Sequence, residues 1–148
     1  MTGARVYTLF YLALLAEALA LAGKIEEALA TLDGALATAA VSGAKGYNAE
    51  IYRLRGELTG RLPHSDPAKA EGSFSTALVI AREQGTRGYG LRAATSLARL
   101  RRDQGRCAEA RDLLTPVYSW FTEGFDTPDL KEAKALLEQL AIGPAHPS

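Results

Sequence analysis

A short pattern of small and apolar residues occurs three times in this chain. In each copy an alanine is followed four residues later by a large apolar residue, and after three more by a small or apolar one. The alanines that begin the copies lie about 40 residues apart. The copies consist of Ala28, Leu32 and Ala35, of Ala70, Phe74 and Ala77, and of Ala110, Leu114 and Val117. A repeat of this length is typical of helical hairpins that bury their apolar faces against each other.

The residues between the copies also favour helices. Alanine and leucine dominate, and no long stretch alternates apolar with polar residues as a strand would. Glycines follow the apolar runs, and proline at positions 67 and 128 marks two helix starts, the first of them capped by Asp66. The predicted helices cover residues 6–22, 25–41, 46–61, 67–84, 87–104, 107–121 and 128–141. Pro116 should kink or shorten the sixth.

The sequence therefore predicts an all-α fold of three antiparallel hairpins closed by a C-terminal capping helix. Residues 1–142 are expected to form a single domain, and residues 143–148 a disordered tail. The apolar run at 6–22 could also be a signal peptide, but Glu17 interrupts it and the first repeat needs it as a helix. The lone Cys107 favours a reducing compartment, so we expect a cytoplasmic protein that does not enter a membrane.

The pattern resembles the tetratricopeptide family, whose repeats stack into a right-handed array. Gly23 and Gly105 match the turn glycine of that family. The core positions of the first repeat are matched by Leu12, Leu15, Ala16 and Leu19 in the first helix and by Ala28, Leu32 and Ala35 in the second. More narrowly, residues 113–137 resemble the C-terminus of large bacterial proteins that join a nucleotidyl-cyclase domain, a predicted ATPase and a helical-repeat tail. Neither activity carries over, because the chain has no cyclase carboxylate pair and no phosphate-binding Gly-x-x-x-x-Gly-Lys loop.

The resemblance implies a groove lined by the first helix of each hairpin. In the fifth helix the positions facing it would be Arg92, Thr95, Arg99 and Arg102. In the third helix two registers stay open, with either Arg53 and Glu57 or Tyr52 and Gly56 facing the groove.

This arginine row lies in a locally basic part of a neutral chain. Residues 82–111 carry eight arginines and three acids, whereas the whole chain has seventeen basic and seventeen acidic residues. The row could be a solvated surface, a groove for an acidic peptide or partner domain, or a nucleic-acid contact.

The first helix is apolar nearly all round, unlike the polar cap expected of a terminal repeat. Packing on the second helix leaves a set of large side chains without cover. These are Tyr7, Phe10, Tyr11, Leu14 and Leu21. An exposed apolar patch usually marks an interface, so we expect a homodimer through the first hairpin.

No residues in the chain are arranged for catalysis. His64 and His146 have no metal-ligating neighbours in sequence, and Cys107 has no plausible base. The glycine-rich residues 85–90 superficially resemble a phosphate-binding loop but follow no strand, which favours a turn between repeats. We therefore expect a non-catalytic protein-interaction or regulatory module without cofactor or metal, the tail of a larger signalling ATPase or cyclase. The alternative is a DNA-associated segment of a transcriptional regulator.

Overall fold

The chain folds into helices joined by short turns. The computed structural model describes the backbone of residues 2–43 and 45–142, with side chains from residue 8 to residue 141. This part contains seven helices and no strand, which confirms the all-α prediction. The helices are α1 (Thr2–Leu21), α2 (Ile25–Ser42), α3 (Asn48–Thr59), α4 (Pro67–Gln84), α5 (Arg87–Asp103), α6 (Cys107–Ser119) and α7 (Pro128–Ile142). The predicted tail, residues 143–148, lies outside the described residues.

Local signals fix most helix ends. The Asp66 carboxylate accepts a hydrogen bond of 3.0 Å from the backbone N–H of Ala68, which confirms the predicted cap of α4. Gly85 ends the same helix at a φ of +71°, in the left-handed region that glycine adopts without strain. Pro116 lies inside α6, which ends at Ser119, two residues before the predicted end. At these positions the helices begin and end where the capping, glycine and proline residues of the sequence predict.

Each helix contacts the next one in the chain, and the odd-numbered helices also contact each other in order. The contacting odd-numbered pairs are α1 with α3, α3 with α5, and α5 with α7. Within the described residues no Cα atom of α4 comes within 8 Å of one in α2 or α6. One side of the molecule is therefore a continuous row of packed helices, with the even-numbered helices on its flank.

The repeated signature supplies the core. Its first positions, Ala28, Ala70 and Ala110, are at most 2% exposed, and its large residues Leu32, Phe74 and Leu114 are at most 4% exposed. One cluster of buried residues joins α1, α2 and α3, and a second joins α4, α5, α6 and α7. The small residues let the helices approach closely while the large ones fill the space between them.

The buried face of α1 differs from the prediction. Ala16 is buried, and Leu12 and Leu19 are half-buried, but Leu15 is 36% exposed, so its assignment to the core is wrong. From residue 8 onward the buried residues of this helix are Leu9, Ala13, Ala16 and Ala20, which follow one another at helical spacing. A helix that is apolar all round has no sequence contrast that fixes which face is buried.

The contact between α3 and α4 depends on a glycine. A Cβ atom added at Gly56 would lie 2.6 Å from Cε1 of Phe74, closer than any stable contact. Gly56 is therefore the position where the ring of Phe74 packs against the α3 backbone, and any larger residue would displace that ring.

Leu32→Ala and Leu114→Ala should each lower the free energy of unfolding by about 2 to 5 kcal/mol, because each leaves a cavity in a fully buried site. Chemical denaturation followed by circular dichroism measures the effect. Val79→Ala is the control, since this side chain is 51% exposed and its loss should cost little. Equal effects in all three variants would contradict this description of the core.

Candidate partner-binding groove

Helix α5 is the centre of the site. It contacts α3, α4, α6 and α7, and six of the nine residues from Gly90 to Ala98 are small. Two of the buried ones are polar. Thr95 donates its hydroxyl to the Leu91 carbonyl at 2.8 Å, and Ser96 donates to the Glu57 carboxylate on α3 at 2.7 Å. Close packing around α5 therefore brings charged side chains from neighbouring helices together.

A carboxylate is buried between α3 and α5. Glu50 is 2% exposed. Its carboxylate accepts hydrogen bonds from Arg53, and the shortest of them, from Nη2, is 2.6 Å long. Nη1 of Arg92 lies 2.7 Å from Oε1 of Glu50. A buried carboxylate is costly unless it is paired and hydrogen-bonded. Two guanidinium groups meet that requirement for Glu50 and tie α3 to α5.

A second set of ion pairs links these helices to α7. Arg99 binds Glu132, and its Nη1 lies 3.7 Å from the Glu57 carboxylate. Nε of Arg92 lies 3.7 Å from Asp129. Two acidic side chains of α7 thus already form ion pairs with Arg92 and Arg99 of α5.

Two adjoining cavities run along this surface. The smaller, about 60 Å³, lies between α3, α5 and α7, and the larger, about 230 Å³, lies between α3, α4 and α5. They share Ser96 and Arg99. We call their joint surface the α5 groove, and its polar residues used below are Arg53, Glu57, Arg92, Ser96, Arg99, Asp129 and Glu132.

Most of the predicted groove residues meet here. Arg53, Arg92, Thr95 and Arg99 line the smaller cavity and Glu57 the larger. Arg102 lines neither cavity and instead donates to Gln139 of α7 at 2.8 Å. The hydroxyl of Thr95 is occupied by the backbone, so this residue shapes the surface without offering a free polar group.

Of the residues in the two registers considered for α3, Tyr52 lies away from the groove. Tyr52 lines a different cavity together with Leu29 and Arg55, whereas Arg53 and Glu57 lie towards α5. Gly56 is at the edge of the groove but is covered by Phe74. The geometry corresponds to the register with Arg53 and Glu57.

Three groove residues, Ser96, Asp129 and Glu132, and the buried Glu50 next to them were not anticipated from the sequence. Glu50 and Ser96 lie on the inner sides of α3 and α5, and Asp129 and Glu132 come from α7. The only local signals are the spacing of three residues between Glu50 and Arg53 and between the two α7 acids, which puts each pair on one helix face.

An aromatic row extends from this surface towards α1. The rings of Phe10 and Tyr47 have centroids 5.8 Å apart, and those of Tyr47 and Tyr89 are 5.7 Å apart, both edge to face. Burial, with a contribution from the charge of Glu50, raises the pKa of Tyr47 to about 12. The row ties the first turn of α5 and the start of α3 to α1.

The predicted self-association residues are exposed where they are described. Phe10, Tyr11, Leu14 and Leu21 are 48%, 63%, 49% and 87% exposed. The side chain of Tyr7 lies outside the described residues. Phe10 belongs to the aromatic row as well, so the exposed face begins beside Tyr47.

The other residues considered for chemistry lie apart from the groove. His64 is exposed in the turn between α3 and α4, Cys107 is half-buried at the start of α6, and His146 lies outside the described residues. Residues 85 and 86 form the turn between α4 and α5, and residues 87–90 are already helical. None of the described helices is long and apolar enough to cross a membrane.

Comparisons with protein-family models, curated proteins and solved structures find no match to this chain. The resemblance to tetratricopeptide repeats therefore stays an expectation from the residue pattern.

Glu50→Ala should lower the free energy of unfolding by about 3 kcal/mol, because it removes the hydrogen-bonded partner of the largely buried Arg53 guanidinium and leaves it Glu57 at 3.8 Å. Asp33→Ala is the matched control. It breaks the ion pair of Asp33 with Arg55, whose side chains are 55% and 40% exposed, and should cost less than about 1 kcal/mol. Urea denaturation of both variants measures the difference, and equal costs would contradict a structural role for the buried carboxylate.

Proposed function

We propose that this chain is a non-catalytic protein-interaction module whose α5 groove binds an acidic segment of a partner protein. The observation that carries the proposal is the groove itself, where arginines of α3 and α5 converge beside two cavities and meet acidic side chains of α7. We further propose a cytoplasmic setting, as the regulatory tail of a larger bacterial signalling ATPase or cyclase. The cytoplasmic setting rests on the lone cysteine, and the regulatory tail rests on the sequence resemblance.

The order of helix contacts supports an array like that of the tetratricopeptide family. The odd-numbered helices pack against each other, while the backbones of the described even-numbered helices approach closely only those of their chain neighbours. This order of contacts is typical of a curved stack of helices with the odd-numbered ones on the inner side. Curved stacks bind extended partners along their inner side. In such an array the α5 groove, which is lined by α3, α5 and α7, would open to the inner side.

The exposure of the α7 acids supports an acidic partner. Asp129 and Glu132 are 46% and 59% exposed, and they bind Arg92 and Arg99, which are about one third exposed. Ion pairs between exposed groups are weak, and a guanidinium can bind an incoming carboxylate through two parallel hydrogen bonds. A partner's carboxylates could therefore replace those of α7 while the apolar packing of α7 stays in place.

The pairing of the arginines also bears on the DNA alternative. In the basic stretch Arg92, Arg99, Arg101, Arg102 and Arg106 all have acidic neighbours within ion-pair distance. Binding to a duplex depends on cations that are free to neutralise phosphates. The local positive charge is thus largely offset within the chain, which favours the protein-binding proposal.

The test removes the intramolecular competitors. The double variant Asp129→Asn and Glu132→Gln should bind an oligoglutamate peptide about five- to tenfold more tightly than the original chain, because two weak ion pairs no longer compete. Fluorescence anisotropy of a labelled peptide measures the affinity.

The matched control is Glu123→Gln with Glu138→Gln, which changes the net charge equally but removes no groove residue. Equal tightening in the control would indicate a long-range charge effect and contradict the groove. Preference for an oligolysine peptide would contradict an acidic partner. Retention of a DNA duplex, weakening steeply with salt, would favour the DNA alternative.

We also propose that the chain forms a homodimer through the exposed face of α1. The support is the exposure of large apolar side chains at one end of the array, with Tyr11 and Leu21 the most exposed members of the face. Burying apolar area in an interface is favourable in proportion to the area removed from water, and a second copy presents the same face.

Leu14→Glu with Leu21→Glu should convert the dimer to a monomer without loss of helicity, because both side chains are on the surface. Sedimentation at micromolar concentration measures the mass. Val79→Glu, an exposed apolar position on α4, is the control and should leave the dimer intact. A monomer for the original chain would contradict the proposal.

A further inference from the structure

A separate cavity lies on the opposite end of α5 from the larger groove cavity. It has a volume of about 220 Å³ and lies between the end of α4, the first turn of α5 and the residue that follows α6. Its walls include Leu78, Ala81 and Trp120 on the apolar side and Arg82 and Arg87 on the charged side. It shares no residue with the α5 groove.

The charges of this cavity are not balanced. No acidic residue among those that the structure describes lines it. Within the part of the chain that the structure describes, Arg82 and Arg87 have neither an ion pair nor a hydrogen bond through the side chain, unlike Arg92 and Arg99 in the groove. Two exposed guanidinium groups beside one cavity, without a carboxylate of the described chain bound to them, favour an anionic ligand.

The apolar wall of the cavity favours a ligand with a planar ring beside its anionic group. Trp120 is 46% exposed although it is the largest apolar side chain in the sequence, and Leu78 and Ala81 are buried behind the cavity. An indole with an accessible surface stacks well on a planar ring. Pockets for drug-sized molecules begin at about 300 Å³, so the volume here suits a single ring or ring system with its anionic group extending to the arginines.

The turn below the cavity is fixed before any ligand arrives. The backbone N–H of Thr86 donates to the Ala81 carbonyl at 2.9 Å, and the Thr86 hydroxyl donates to the same carbonyl at 3.3 Å. Gly85 holds the left-handed conformation that this turn requires. Binding therefore needs little ordering of the backbone, which limits the entropy lost.

We infer that this cavity, which we call the Trp120 cavity, binds an anion carrying a planar aromatic ring. Arg82 and Arg87 would bind the anionic group, and Trp120 would stack on the ring. This chemistry is shared by nucleotides and by neighbouring acidic and aromatic side chains of a partner protein. The inference does not depend on the α5 groove or on its partner.

Trp120 is the only tryptophan of the chain, so its fluorescence reports this cavity alone. Adenosine monophosphate and an amidated Asp-Phe dipeptide are the two probes, titrated to millimolar concentration. We expect a saturable change in emission with at least one of them, and a much smaller change with adenosine or inorganic phosphate, each of which has only half of the chemistry.

Arg82→Gln and Arg87→Gln should each weaken binding about tenfold or more, because each removes a charge-assisted hydrogen bond. Lys69→Gln, which removes an exposed positive charge outside the cavity, should bind as the original chain does. Circular dichroism checks that the variants stay folded, and calorimetry with Trp120→Leu should show loss of the binding heat.

The two probes separate the possible sources. A response to the nucleotide alone indicates a nucleotide ligand, and a response to the dipeptide alone indicates a partner's side chains. A response to both supports the shared chemistry. No response to either probe, or a response that survives in both arginine variants, would overturn the inference.

Discussion

The rest of the fold depends on how a single buried carboxylate is paired with arginines inside it. Glu50 is buried where α3 meets α5, and an isolated charge there would cost several kcal/mol. Arg53 supplies one partner from the same helix, but Arg92 has to come from α5. The ion cluster is therefore satisfied only when the two helices are correctly aligned, and this alignment also places Ser96 against Glu57 and Arg99 between α3 and α7.

Ion pairing divides the arginines of the molecule into two kinds. Those on α5 that face α3 and α7 already contact carboxylates of the same chain, so they can act only by exchanging one partner for another. Arg82 and Arg87 have no such partner among the described residues. The basic stretch at residues 82–111 thus contributes arginines to two different surfaces. In the α5 groove they are paired with carboxylates, and in the Trp120 cavity they are not. Charge counted along the chain cannot separate these two environments.

Features that depend on neighbours in sequence were predictable. The Asp66 cap, the turn at Gly85 and the buried alanines of the repeat follow from local backbone preferences and from helical spacing. The same spacing places Arg92 and Arg99 on one face of α5. The burial of Glu50 was not predictable, because it depends on an arginine one helical repeat away. The acids of α7 reach the groove only through tertiary packing, and α1 lacks the polar face that would have distinguished Leu9 from Leu15.

The core has two large clusters and a small one of Ala70, Phe74 and Leu97, and the separation of the two large clusters bears on how the molecule opens. Helices α1 and α2 pack with one side of α3, whereas α4 to α7 form the other cluster, and Tyr52 of α3 packs against that second cluster. Opening of α1 and α2 would leave the cluster of α4 to α7 and the Trp120 cavity intact. Amides in α1 and α2 should then exchange with solvent through a smaller, separate opening event than those of α5, which is enclosed by four other helices.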